Sequence, residues 1–371
     1  MNRKDYYNTI NLQVEDLDTL VEGQVASCFS KEKLAALLPQ ETMKNLRRVV
    51  LTGCGDSYSA ALAMVRPFQL LSGLKDCAAP DPMEFCRCYT LRQTTANFQP
   101  DQTLVVAVSA SGGSERIVEM MEKAKGQGAH AMLISNNPES KGAKAAHSTF
   151  WVETPAGCNS PGLRSYFASM IGILALGAYV GLVQGHLSEE EFETLQQDII
   201  SYTHAYLKDY DTIDEQMFQC ALQLKDVEKF EAVGDSGDGG SALFVEQKVI
   251  ECSGVFCQHA DSEDWCHISF FLRDPAHIGT VMILNEDSPN RSRMEYTIDS
   301  AIGVGRPTIV VTDSEKPFEG AVVCRGAKPA KEWLAPLMNF IPGSLLAGYH
   351  AAVNDKLFFG GAYDYRTQTW L

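Results

Sequence analysis

The sequence predicts an α/β fold in two similar halves, each a doubly wound parallel sheet flanked by helices. A pattern of strand, loop and helix occurs twice in each half, and about 50 to 56 residues separate the two occurrences. Alternating strands and helices are typical of parallel sheets, which bind ligands at the carboxyl ends of their strands. The predicted strands lie at 49–51, 105–109 and 131–135, and again at 231–233, 281–284 and 308–312.

The segment 105–128 is the most informative part of the chain. Its strand stops in the loop Ser-Ala-Ser-Gly-Gly-Ser at 109–114, and an amphipathic helix follows. Glycines let backbone N–H groups approach a ligand, hydroxyls add donors, and the helix dipole favours negative charge. Because one serine suffices to cap a helix, the group Ser109, Ser111, Gly112 and Ser114 predicts a phosphate site. A capped turn without a ligand is the alternative.

An earlier loop, 53–58, begins like the dinucleotide fingerprint G-x-G-x-x-G. Tyr58 occupies the third glycine position, however, where it would obstruct close packing of helix on strand. We therefore interpret this loop as a turn that brings Ser57 toward the same phosphate, with Gly55 and Asp56 as further candidate contacts. In the second half, Asn-Glu-Asp-Ser at 285–288 stands where the first half has its serine loop. Two carboxylates would repel a phosphate, so one phosphate site per chain is expected.

The composition is that of a globular protein. Its negative net charge excludes partners that bind basic surfaces. Of 371 residues, 45% are hydrophobic and 21% are charged, and the net charge is −16. Neither nucleic acid nor an anionic membrane is an expected partner, because both attract basic surfaces. The 11 cysteines lack metal-ligand spacing, which predicts reduced thiols, a cytoplasmic location and no metal site. The first residues lack the pattern of a signal peptide.

Residues 167–184 carry no charge and reach the minimum length of a membrane span. They are also rich in glycine, alanine and serine, which allow helices to pack closely. We expect a buried core helix, with a single membrane span as the alternative. The long helical stretch that contains it would join the two halves.

Candidate acid–base residues follow the first loop of the second half. In a helix predicted from the apolar residues of 243–250, Lys248 and Glu251 share one face at a spacing of three residues. A solvated ion pair is the plain interpretation of that spacing. His267 is equally compatible with a core histidine or with a histidine at a helix start.

Taken together, these segments resemble the sugar isomerase (SIS) family. The resemblance rests on GCGDSYSAA at 53–61, SASGGS at 109–114 and the block 242–267, and it extends from about residue 25 to the end. The tandem arrangement is similar to the isomerase half of glucosamine-6-phosphate synthase and to fructosamine-6-phosphate deglycases. It implies two flavodoxin-like SIS subdomains at 25–200 and 201–350, an N-terminal segment 1–24, and a tail 351–371 that closes the site.

The resemblance also implies roles for individual residues. The serine loop, with Ser57, would bind the phosphate of a sugar phosphate. Glu251 would move a proton between carbons 1 and 2, with Lys248 beside it, and His267 would open the sugar ring. The family chemistry requires no metal or organic cofactor. The histidine can act in its own or in a neighbouring subunit's site, so a homodimer or higher homo-oligomer with shared active sites is expected.

Arg164 and Tyr365 are further candidate substrate contacts, and some positions depart from the family pattern. Ala110 and Gly113 replace the glutamine and glutamate of S-Q-S-G-E-T, and Asp56 stands where the synthase has threonine. No glutamine-hydrolysing domain precedes the tandem pair, so synthesis of an amino sugar from glutamine is not expected.

The resemblance leaves three kinds of function open. The first is a deglycase or deaminase acting on a 6-phosphorylated amino sugar or fructosamine. The second is an aldose–ketose phosphosugar isomerase. The third is a sugar-phosphate sensor without catalytic activity, although the residues before 45 are too few and too acidic for the basic DNA-binding domain that such regulators carry.

Overall fold

The chain forms two compact units. The computed structural model describes residues 1–91, 99–155, 160–361, 363–364 and 369–370. The unit that contains the serine loop, here the serine-loop unit, comprises Leu20–Gly157 and Arg164–Ser201. The unit that contains Glu251, here the glutamate unit, comprises Met1–Thr19, Cys158–Leu163 and Tyr202–Leu371. The first 19 residues thus group with the second half of the chain.

A five-stranded parallel sheet forms the centre of the serine-loop unit. Its strands are β1 (Arg48–Gly53), β2 (Asp76–Ala78), β3 (Thr103–Val108), β4 (His130–Ser135) and β5 (Ser148–Trp151). They follow the order β2-β1-β3-β4-β5, so the direction of winding reverses between β1 and β3. Both of these strands are buried along their whole length, because helices cover the two faces of the sheet.

The described residues up to position 207 form eight α-helices. They are α1 (Thr9–Cys28), α2 (Lys31–Ala35), α3 (Gln40–Asn45), α4 (Asp56–Ser72), α5 (Glu115–Gly126), α6 (Lys141–Ala145), α7 (Arg164–Gln184) and α8 (Glu189–Leu207). Helix α5 is the amphipathic helix expected after the serine loop, and it buries Ile117, Met120, Met121 and Ala124 against the sheet.

The glutamate unit repeats this architecture. Its strands are β6 (Lys229–Val233), β7 (Phe256–Ala260), β8 (Gly279–Leu284), β9 (Thr308–Thr312) and β10 (Val322–Arg325), in the order β10-β9-β8-β6-β7. Its helices are α9 (Tyr210–Gln223), α10 (Gly237–Ser253), α11 (Ser262–His267), α12 (Arg291–Gly303) and α13 (Pro336–Val353). Two further short strands, Tyr363–Asp364 and Thr369–Trp370, pair with each other. The predicted α/β class and both doubly wound sheets are confirmed.

The two halves match in detail at their first strand–helix turn. Helices α4 and α10 both have 17 residues, and both end at a left-handed glycine, Gly73 or Gly254. Both begin after a residue with positive φ, namely Gly55 at φ 56° and ψ −131° and Ser236 at φ 53° and ψ −124°. The repeat seen in the sequence is therefore a repeat of backbone conformation as well.

Helix α7 is the buried helix expected for the uncharged segment. Among the described residues it is the one helix long and apolar enough to cross a membrane, and 89% of its most apolar window is buried inside the protein. Its glycines allow close packing on α4, since a Cβ at Gly181 would lie 2.1 Å from the carbonyl oxygen of Leu71. The expectation of a core helix is confirmed.

The N-terminal segment is tied to the glutamate unit through one buried carboxylate. Asp214 on α9 accepts hydrogen bonds from Asn11 Nδ2 at 2.8 Å and from the Tyr349 hydroxyl at 2.7 Å. Arg3 Nε lies 3.0 Å from the same carboxylate, and the Tyr7 hydroxyl lies 3.3 Å from it. Residues from both ends of the chain's sequence therefore meet at Asp214.

Candidate active site

The serine loop and the 53–58 loop lie side by side at the carboxyl edge of the first sheet. Strands β1 and β3 pair in parallel as far as Gly53 and Val108, and both loops leave the sheet at that point. This is the position where the strand order reverses, which is the usual place for ligands in doubly wound sheets. Helices α4 and α5 also begin here, so both helix dipoles favour an anion.

The three serine hydroxyls of the loop accept hydrogen bonds from nearby backbone amides and so fix the loop conformation. Ser109 Oγ accepts a hydrogen bond from the Gly112 amide at 3.1 Å, and Ser111 Oγ accepts one from the Gly113 amide at 3.4 Å. Ser114 caps α5 by accepting from the Arg116 amide at 3.2 Å. In each case the hydroxyl acts as an acceptor, so its hydrogen remains able to point to a phosphate oxygen.

A second layer of serines supports the loop from behind. Gly112 has φ +60°, and a Cβ there would lie 2.1 Å from Ser140 Oγ. Ser140 caps α6 through the Ala143 amide at 3.2 Å, and Ser135 donates to the Ala110 carbonyl at 3.2 Å. Neither Ser135 nor Ser140 was predicted as a site residue. Ser135 ends β4, the strand next to β3, and Ser140 begins the helix that follows it, and this position is the signal that could have identified them.

The 53–58 loop approaches its own helix very closely. A Cβ at Gly53 would lie 2.8 to 2.9 Å from the Ser57 backbone, so only glycine fits. Ser57 and Asp56 occupy the first turn of α4, after Gly55. An acidic residue in the first turn of a helix is stabilised by the dipole, which gives Asp56 a role without a ligand. Burial raises the pKa of the Cys54 thiol, so this cysteine adds no negative charge to the loop.

Lys248 and Glu251 form an ion pair on α10 that is not a surface pair. The Lys248 side chain is fully buried, and its ammonium group lies 4.7 Å from the centre of the Phe244 ring. Glu251 is 31% exposed, so its carboxylate connects the buried lysine to the surface. The Glu251 carbonyl also accepts from the Phe359 amide at 2.7 Å. The interpretation as a solvated pair is wrong, because one partner is removed from water.

His267 is the last residue of α11 and is 68% exposed. Its Nε2 lies 2.8 Å from Oε1 of Glu263, one turn earlier in the helix. It is therefore neither a core histidine nor a histidine at a helix start. The ring is open to a ligand or to another protein surface.

The other candidate residues have different positions in the structure. Arg164 is buried at the first position of α7. Tyr365 lies outside the described residues. No group of three or more potential metal ligands occurs within the part of the chain that the structure describes. The phosphate candidates belong to the serine-loop unit, whereas Lys248, Glu251 and His267 belong to the glutamate unit.

In the glutamate unit, the turn that corresponds to the 53–58 loop carries a buried carboxylate. Asp238, which corresponds to Ser57 in the repeat, is buried and accepts from Asn285 Nδ2 at 2.5 Å, Asn339 Nδ2 at 3.1 Å and the Ser241 hydroxyl at 3.1 Å. Burial raises the pKa of Asp238 to about 6. The two carboxylates that predicted a single phosphate site from the sequence are Glu286 and Asp287. Those two pair with Arg291 and Lys328.

Comparison with known proteins finds a family model that matches part of the chain. Residues 42–179 match the SIS domain. An isomerizing glutamine–fructose-6-phosphate aminotransferase from Thermococcus kodakarensis is 24% identical over 316 residues, which cover 84% of this chain and 50% of that protein. The chain thus spans about half the length of the curated relatives it matches.

Solved structures share the fold over nearly the whole chain. The C-terminal domain of glucosamine-fructose-6-phosphate aminotransferase from Francisella tularensis has a TM-score of 0.80 at 16% identity, covering 95% of this chain and 98% of that one. Glucosamine-6-phosphate deaminase from Thermotoga maritima has a TM-score of 0.66 at 16% identity, covering 95% and 96%. The chain therefore carries a match to the SIS domain over residues 42–179, and its fold is similar to that of these solved structures over nearly its whole length.

Proposed function

We propose that this protein converts a 6-phosphorylated amino sugar or fructosamine by moving a proton between carbons 1 and 2. The observation that carries the proposal is the pair formed by a fully buried lysine and a partly exposed glutamate on α10. A carboxylate held by a buried cation and open on one side is suited to take up and return a proton. A sensor without catalytic activity would not need this arrangement.

The serine loop would bind the phosphate, and its binding energy would position the reacting carbons. His267 would transfer the proton that opens the ring. Glu251 would then take a proton from carbon 1 and return one to carbon 2, through an enolamine, while Lys248 stabilises the developing charge on oxygen. For a substrate with its amine on carbon 1, water would finally release the amine and leave an aldose phosphate.

A second copy of the chain is the proposed partner at His267. The residues after this histidine form an exposed apolar run, in which Ile268 is 67% and Phe271 is 74% exposed. Apolar surface of this kind is typical of a protein interface. None of the ten cysteines that the structure describes forms a disulfide bond, which supports a reducing compartment such as the cytoplasm.

The decisive test compares two glutamates of the same helix. The Glu251→Gln variant keeps size and hydrogen bonding but removes the base, so turnover should fall by about 10²–10⁴-fold. The matched control is Glu246→Gln, since Glu246 pairs with His259 and has no role in the proposal. Both variants and the wild type would be incubated with 6-phosphorylated fructosamines, amino sugars and ketoses, with products identified by mass spectrometry. Near-normal turnover by Glu251→Gln would show that the mechanism is wrong.

A further inference from the structure

The segment 262–272, which carries His267, is held from below by a buried carboxylate. Glu231 on β6 is 1% exposed, and its two oxygens accept four hydrogen bonds. Gln258 Nε2 donates at 2.6 Å and Trp265 Nε1 at 2.8 Å, and the Ser269 hydroxyl donates as well. Two of these donors belong to the segment itself. The carboxylate therefore binds the segment on both sides of His267.

Arg306 binds the same segment through its backbone. Its Nη2 donates to the Ser269 carbonyl at 2.6 Å, and its Nη1 donates to Glu231 at 2.6 Å. The guanidinium also lies over the Trp265 ring, 5.1 Å from its centre. Ser269 is thus held by its side chain and by its main chain at once.

The first turn of the segment has an anchor of its own. Asp235 accepts from the Ser262 amide at 2.8 Å and from the Ser262 hydroxyl at 2.7 Å. Thr297 on α12 donates to the Ser262 carbonyl at 3.0 Å. Buried or partly buried side chains therefore fix the segment near both of its ends.

The inner and outer faces of the segment differ sharply. Trp265 is fully buried and Ser269 is 3% exposed, whereas His267 and Ile268 are each about two-thirds exposed. A buried ion pair contributes little net stability compared with apolar residues of the same volume, because both charges lose their water. What the pair Glu231–Arg306 does supply is a fixed geometry for the groups that bind it.

We propose that Glu231 and Arg306 are positioning residues that hold the segment 262–272 so that His267 is presented at a defined place. The inference rests on the proposed function for the role of His267. Neither Glu231 nor Arg306 is proposed to touch the reacting atoms. Glu231 and Arg306 act through Trp265 and Ser269, which lie two positions before and two positions after the histidine.

The test removes the segment's own hydrogen bonds to Glu231 while it leaves the buried ion pair intact. The double variant Trp265→Phe, Ser269→Ala removes both donors from the segment to Glu231 and keeps the contact between Arg306 and Glu231. The matched control is Thr280→Val, which removes a hydroxyl 3.3 Å from Arg306 Nη1 on strand β8, outside the segment. Hydrogen exchange of the segment's amides should become at least tenfold faster in the double variant, with little change in the core strands and in the control.

Turnover supplies the second readout. The double variant should lose about tenfold in kcat on a fructosamine 6-phosphate that the wild type converts, but little on its 5-deoxy analogue, which cannot close a ring. A merely structural role would lower both rates alike. Unchanged exchange in 262–272 would overturn the inference whatever the activity. The His267→Asn variant separates the two hypotheses. If it changes the ratio of turnover on the two substrates but the double variant does not, the inference is overturned even when exchange becomes faster. If His267→Asn leaves that ratio unchanged, the proposed function fails, and the exchange rates alone decide whether Glu231 holds the segment.

Discussion

Gly112 shows how the conformation of one residue builds the phosphate loop. Its positive φ and its contact with Ser140 both exclude a side chain. The Gly112→Ala variant should therefore lose stability by about 1–3 kcal/mol and bind fructose 6-phosphate at least tenfold more weakly. Gly113→Ala is the matched control, because the nearest atom to a Cβ there is Ser111 Oγ at 3.8 Å. Denaturant unfolding and titration calorimetry would measure both effects, and equal affinities for the two variants would contradict the role of this loop.

Asp238 makes the stability of the protein depend on pH. Its pKa in the folded protein is raised to about 6, so the folded state holds this proton more tightly than the unfolded state does. The contribution of Asp238 to the free energy of unfolding is greatest below about pH 4 and is lost as the pH rises to about 6. The loss is on the order of 3 kcal/mol.

The Asp238→Asn variant should lack this dependence. The difference in unfolding free energy between wild type and variant should therefore move in favour of the variant as the pH rises from 4 to 6.5. Urea unfolding at a series of pH values would measure it. A difference that stays constant over this range would show that the Asp238 carboxylate does not titrate there.

At the scale of elements, the packing of α7 on α4 depends on glycine. The Gly181→Ala variant would push a methyl group against the backbone of Leu71 and should lower the free energy of unfolding by about 1–3 kcal/mol. Gly23 lies in the interior of α1, exposed, and a methyl group there would meet no atom within 4 Å. Gly23→Ala should therefore raise the free energy of unfolding by about 0.5–1 kcal/mol. Opposite signs in urea unfolding would confirm the contrast, and equal effects would refute it.

The elements that the sequence predicted share a physical property. All six predicted strands lie in the interior of the two sheets and are almost entirely buried, so their predicted ranges are predominantly apolar, with Glu231 of β6 as the charged exception. The edge strands β2, β5, β7 and β10 were not predicted. They are only partly buried, and their mixed composition hides them from a search for apolar runs.

A site residue could be predicted when its partners lie near it in the sequence or when its spacing is typical of the family. The serine loop is contiguous in sequence, and Lys248, Glu251 and His267 carry a spacing that the family resemblance made visible. Ser140, Asp238 and Glu231 were missed because their partners are distant in sequence and meet them only in the folded chain. Asn339, for example, lies 101 positions from Asp238. The roles proposed for the predicted residues stay predictions until the variants are measured.

At the scale of the whole molecule, the proposed self-association can be tested directly. An aspartate at Phe271 would place a charge in the exposed apolar run, so Phe271→Asp should shift the protein from a dimer or larger assembly to a monomer in sedimentation experiments. Met83→Asp, at another exposed apolar side chain, should not change the assembly. If the wild type is itself a monomer at micromolar concentration, a shared active site is ruled out.

The contacts of Asp214 with the N-terminal segment have a consequence for folding during synthesis on the ribosome. Asn11 is made 203 residues before Asp214 and 338 residues before Tyr349, its two side-chain partners. At about 5–20 residues per second, the N-terminal segment leaves the ribosome tens of seconds before its binding place exists. We expect the serine-loop unit of the nascent chain to fold first. Until Asp214 has been made, the N-terminal segment would stay exposed to solvent and accessible to chaperones and proteases.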